Sequence, residues 1–112
     1  MPVRFVIIGG GPAGNTAATY AARLGAEVTV VERDVIGGAA HLWDCIPSKT
    51  MIATGGAMAA SRRMRGMGLE EHEAEIDAVA LEERIESIKA RIQTGVEGLL
   101  SSQGVRMIRG SA

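Results

Sequence analysis

Residues 3–32 read VRFVIIGGGPAGNTAATYAARLGAEVTVVE, and this stretch decides the fold. Val3 to Ile8 is a short run of mostly β-branched or aromatic residues ending in glycine, the composition of a strand buried on both faces. Pro12 stands where a first helical turn tolerates a missing N–H, Ala13 to Leu24 is rich in alanine, and Gly25 is placed to end that helix. Glu27 to Glu32 (EVTVVE) repeats the strand pattern, so the chain has returned for a second, parallel strand after a helical crossover. The stretch predicts a βαβ unit and an α/β fold with a parallel sheet.

Gly9, Gly11 and Gly14 form G-x-G-x-x-G at the junction of the first strand and helix. Gly9 permits the tight turn, Gly11 lets backbone approach a pyrophosphate, and Gly14 brings helix and strand close together. The helix that opens at Pro12 and Ala13 offers unpaired N–H groups and the positive pole of its dipole, which suits a diphosphate. Glu32 ends the second strand, where a carboxylate accepts hydrogen bonds from the two ribose hydroxyls of an adenosine and repels a 2′-phosphate. A glycine turn alone is weak evidence. Strand, turn, helix, strand and acidic end in register argue for a Rossmann-like, dinucleotide-binding fold. FAD and NAD present the same adenosine and pyrophosphate to this motif, so it does not separate them.

Downstream, Arg33 to Asp44 reads as a loop, and Pro47 and Ser48 open a helix expected to run to about Met64. Arg62, Arg63 and Arg65 suit the negative pole of that helix, and Gly66 and Gly68 follow. The polar stretch from Glu70 to Asp77 is expected on the surface. Leu81, Ile85, Ile88, Ile92, Val96, Leu99 and Leu100 recur at steps of three and four and predict one core-facing side of a long helix. Gly104 ends it, and Val105 to Ile108 predicts a third strand.

A chain of 112 residues fits one domain. With 46% apolar and 22% charged residues and a formal charge of −1, it has no general attraction for polyanions, so nucleic acid is not an expected partner. The apolar run from Phe5 is broken by glycines far short of the roughly 20 residues that span a bilayer. The same glycines interrupt any signal-peptide pattern, and a cytoplasmic location is expected. Cys45 is the sole cysteine and completes no familiar metal spacing with His41 or His72, so neither a disulfide nor a metal site is expected.

Residues 37–49, GGAAHLWDCIPSK, resemble the active-site segment of the pyridine nucleotide-disulfide oxidoreductases. The resemblance implies that GGGPAG binds FAD, engaging Gly9, Gly11, Pro12, Ala13 and Gly14 together with Glu32 and Gly38. It implies that Lys49 lies beside the flavin, and that Cys45 matches the second cysteine of a redox-active C-x4-C pair. Ala40 stands where the first cysteine belongs, so that disulfide cannot form. The variant is similar to lipoamide dehydrogenase-like NAD(P)H:quinone reductases. The family resemblance implies a catalytic role for Lys49, whose cation would stabilise negative charge on the reduced ring, while Cys45 is either a catalytic thiol activated at the helix start or a structural remnant there. The similarity to the quinone reductases implies NAD(P)H as co-substrate, a small-molecule electron acceptor, and a homodimer for the complete enzyme. A dihydrolipoyl dehydrogenase, a transhydrogenase fragment and a non-catalytic nucleotide-binding fragment are the alternatives. Residues 1–112 are expected to be the amino-terminal portion of an FAD-binding domain, incomplete, with the NAD(P)-binding and dimerisation domains absent.

Overall fold

The computed structural model describes every residue except Glu71, so within the expected polar surface stretch that residue lies outside the described ones. The other residues from Glu70 to Asp77 are exposed, as expected. The elements are β1 (Arg4–Ile8), α1 (Pro12–Arg23), β2 (Glu27–Glu32), one π-helical turn (Ala40–Cys45), α2 (Ile46–Arg63), α3 (Ala78–Ser102) and β3 (Arg106–Arg109). The three strands are parallel in the order β1-β2-β3, with Ile7 beside Val30 and Val30 beside Met107.

β2 is hydrogen-bonded on both sides and carries the core: Val28, Val30 and Val31 are buried. Ala18 of α1 and Leu100 of α3 join Val28, Val30 and Val105 in one cluster. The small side chains of α1 let it lie close to the strands, which is why an alanine-rich helix serves here.

Three expectations need correction. β1 is not buried on both faces: Phe5, Val6 and Ile8 are exposed, because the strand is paired along one edge only and only Ile7 reaches the core. The segment from Arg33 to Asp44 is not all loop, since its last residues wind into the π turn, anchored by Leu42 at 2% exposure. The apolar side of α3 is core only near its end. Leu100 is buried, Leu81, Ile85, Ile88, Ile92 and Val96 are half-buried, and Leu99 is exposed.

The last correction follows from length. A helix of 25 residues is about 37 Å long, more than a three-stranded sheet can cover, so α3 runs past the sheet and packs on α2. Asp77 caps its start, accepting from the Ala80 N–H at 3.0 Å. Lys89 of α3 sits 4.3 Å from the centre of the Trp43 ring in the π turn and pairs with Glu86 at 2.7 Å, tying helix to turn. The molecule is elongated, 70 × 25 × 17 Å. Among the described residues no helix is long and apolar enough to cross a membrane.

Candidate functional site

The glycine turn between β1 and α1 meets the end of β2 and the Gly37–Gly38 loop at a cleft of about 440 Å³. Gly9, Gly11, Glu32 and Gly38 all line it, with Ile8, Val31, Arg33 to Val35, Ala39 and the chain end from Gly110 to Ala112. Of the residues singled out from sequence, these four come together. Pro12, Ala13 and Gly14 form the adjoining first turn of α1, whereas Cys45 and Lys49 do not line the cleft. Cys45 is half-buried where the π turn runs into α2, and Lys49 is exposed in the first turn of α2.

Close approach explains two of the glycines. A Cβ on Gly14 would fall 1.8 Å from the Gly9 carbonyl oxygen, so α1 can seat against the turn only without a side chain there. Gly38 has φ of +81°, and a Cβ on it would fall 2.6 Å from the Gly11 Cα. The two glycine loops therefore touch backbone to backbone. Gly11 differs, because a Cβ there would meet only the Gly38 Cα, at 3.9 Å. The fold leaves that space clear, as a group approaching the backbone requires.

The start of α1 supplies the electrostatics. Gly11 caps the helix without a side-chain hydrogen bond, Pro12 has no N–H, and the first intrahelical donor is the Asn15 N–H to the Gly11 carbonyl at 2.9 Å. The N–H groups of Gly11, Ala13 and Gly14 are thus left without an intrahelical carbonyl at the positive pole of the helix. These are donors for an anion. No metal-binding group of His, Cys, Asp or Glu occurs among the described residues.

Glu32 does more than end a strand. Its Oε2 accepts from the Gly10 N–H at 2.6 Å and its Oε1 from the Asp34 N–H at 2.8 Å. The Asp34 and Gly10 donors, in that order, and the Arg33 N–H and charge hold its carboxyl below the ordinary value of 4.5, against a smaller opposing effect of burial. A depressed folded value means that the ties stabilise the fold above the ordinary carboxylate range and are lost as pH falls through the lowered value. The urea-midpoint gap between wild type and Glu32→Gln is therefore expected to be widest at neutral pH and to close as pH drops below 4.5. A gap indifferent to pH would show that the charge on Glu32 carries none of it.

The π turn has a chemical consequence at Cys45. An i→i+5 turn stacks its first and last residues, so Ala40 is the neighbour one turn before Cys45. With alanine there and no second cysteine in the sequence, the thiol is free. Sequence reasoning missed Gly10, Asn15 and Leu42. The run of three glycines at 9–11 was the signal for Gly10, which the motif treats as a variable position. Leu42 was hidden in a segment without periodicity.

Comparison with known proteins bears directly on this arrangement. The family model described as Pyridine nucleotide-disulphide oxidoreductase matches residues 3–112. An NAD(P)H dehydrogenase (quinone) from Mycobacterium tuberculosis is 41% identical over 115 residues, covering 98% of this chain and 23% of that protein. Dihydrolipoyl dehydrogenase 2 from Haloarcula marismortui is 36% identical over 107 residues, covering 96% of this chain and 22% of that protein. The crystal structure of LpdA from Mycobacterium tuberculosis superposes with a TM-score of 0.88 at 39% identity, covering 97% of this chain and 24% of that one. The flavoprotein disulfide reductase RclA from Escherichia coli, at 24% identity and a TM-score of 0.76 over 98% of this chain and 22% of its own, shares the fold. The chain spans 22–24% of the length of these relatives. Sheet order, glycine turn, acidic strand end and sequence all agree: the chain belongs to the pyridine nucleotide-disulphide oxidoreductase family, and its three-stranded α/β unit matches the FAD-binding part of the larger chains.

Proposed function

We propose that this chain is the FAD-binding portion of a flavoprotein oxidoreductase that takes electrons from NAD(P)H and passes them to a quinone without a redox-active disulfide. The observation that carries the reading is the glycine-turn cleft, in a chain whose one thiol, Cys45, lies outside that cleft and has no second cysteine to pair with. The residues fit FAD. Space is clear above Gly11, donors stand at the start of α1, and a carboxylate stands at the end of β2.

Bound FAD supplies a ring that accepts hydride and releases electrons to an acceptor. The Gly11, Ala13 and Gly14 N–H groups would hold the diphosphate, and Pro12 opens the helix without an N–H of its own to satisfy. Glu32 receives the adenosine ribose hydroxyls on the lone pairs that Gly10 and Asp34 leave free. Gly38 keeps the second loop tight against the first, and Lys49 offers a cation for the negative charge of a reduced ring. Cys45 alone cannot close a disulfide, so electrons leave by another path. The quinone dehydrogenase relative supports that choice of acceptor.

The test has two stages. Purified residues 1–112 are expected to retain or take up near-equimolar FAD, read from visible absorbance and from flavin released by heating. A chimera carrying these residues in place of the matching segment of the Mycobacterium tuberculosis quinone dehydrogenase is expected to reduce quinones with NAD(P)H and to leave lipoamide untouched. Turnover of lipoamide would instead favour the dihydrolipoyl dehydrogenase reading, which the Haloarcula marismortui relative keeps in view. A chimera that binds FAD and reduces nothing would mark a non-catalytic module.

A further inference from the structure

We propose that Asn15 is a positioning residue that aims the Gly11 N–H into the cofactor cleft by locking the Gly10–Gly11 peptide group. The proposal rests on the FAD-binding reading above. Gly10 is buried, and its peptide groups are held on every side. Its N–H donates to Glu32 Oε2 at 2.6 Å, and its carbonyl accepts from Asn15 Nδ2 at 2.8 Å and from the Gly37 N–H at 2.8 Å. A carbonyl oxygen has two lone pairs, and two donors occupy this one.

The Gly10 carbonyl and the Gly11 N–H belong to one planar, trans peptide unit, no cis bond occurring among the described residues. They point in opposite directions. Whatever holds the carbonyl toward Asn15 and Gly37 therefore turns the Gly11 N–H the other way, and Gly11 lines the cleft. A peptide between two glycines has no Cβ to resist rotation, so left to itself it can flip and present a carbonyl to an incoming diphosphate. The Asn15 amide opposes that flip from the second turn of α1. Its own Oδ1 is buried with no partner, so its position satisfies the Gly10 carbonyl and not its own hydrogen-bonding capacity.

The arrangement also reaches the π turn. Gly37, which shares the Gly10 carbonyl with Asn15, precedes Gly38, whose carbonyl accepts the Leu42 N–H at 3.1 Å. Donor chemistry, and not the volume at position 15, is what the proposal requires.

The test uses the 112-residue chain as wild type, Asn15→Ala and Asn15→Leu, neither of which disfavours helix strongly. FAD affinity is expected to fall about five- to tenfold in both variants, the loss of one hydrogen bond. Leucine refills the volume, so recovery in Asn15→Leu alone would assign a packing role and overturn the proposal, as would wild-type affinity in both. The Gly11 amide resonance, read by 15N NMR without ligand, is expected to be single and sharp in wild type and split or broadened in both variants. An unchanged resonance overturns the proposal. A wild-type chain that takes up no FAD sinks the underlying reading separately, and the Gly11 resonance then decides the positioning role by itself.

Discussion

Gly14→Ala is expected to yield a chain without bound flavin and without a cooperative unfolding transition. The added Cβ would fall 1.8 Å from the Gly9 carbonyl oxygen and 3.0 Å from the Gly9 carbonyl carbon. Both are backbone atoms that no rotamer change can move. Overpacking among side chains costs about 1–3 kcal/mol. Here the strain falls on the joint between α1 and the turn, so α1 must lift away and carry the Ala13 donor with it. Helix formation itself favours the alanine by about 1 kcal/mol, so any loss reports the close approach and not propensity. Visible absorbance after purification and a urea melt followed by circular dichroism measure both effects. A yellow, cooperatively folded variant would show that the approach of α1 to the turn is slack.

Leu100→Ala is the second large effect, expected to cost about 2–5 kcal/mol in urea unfolding. Leu100 has no exposed surface and meets Ala18, Val28, Val30 and Val105 in the cluster that joins α1 and α3 to the sheet. Domains of this size hold about 5–15 kcal/mol in total, and a chain that leaves every β1 side chain but Ile7 exposed sits toward the lower end. The loss is therefore expected to remove most of the folded population. Leu99→Ala is the control. With Leu99 at 49% exposure, its replacement is expected to change stability by about 0.5 kcal/mol or less. Equal losses at the two positions would mean that the end of α3 is rotated from the arrangement described.

Leu99 and Leu100 also illustrate the limit of the sequence pattern. Steps of three and four identify a helix and its apolar side, but neighbours in that stripe differ by 100° around the axis, and only contact with another element selects between them. The βαβ unit was legible because its signals are local. The span of β2, Glu27–Glu32, follows from alternation between Gly25 and the loop, and Pro12 marks the start of α1. α2 stops one residue before the expected Met64, and β3 begins one residue after the expected Val105.

What stayed hidden depends on neighbours distant in sequence. The composition of β1 encodes a capacity for burial, but whether a strand is central or at an edge is a property of the sheet. The π turn has no local sequence code, and it is held by Leu42 beneath it and Lys89 beside it. The candidate site was legible where spacing dictates geometry, at Gly9, Gly11, Gly14 and Glu32. Gly10 and Asn15 were not, because their roles are hydrogen bonds made across the turn.

The arm formed by α2 and α3 bears on hydrodynamic behaviour. With it, the whole chain has a radius of gyration of 19.9 Å, against about 13 Å for a compact domain of the same length. Translational friction rises with such elongation, so the chain diffuses more slowly than a sphere of 11.7 kDa. An elution volume calibrated on round standards therefore overstates its mass, and a single protomer can pass for a dimer unless mass is measured independently of shape.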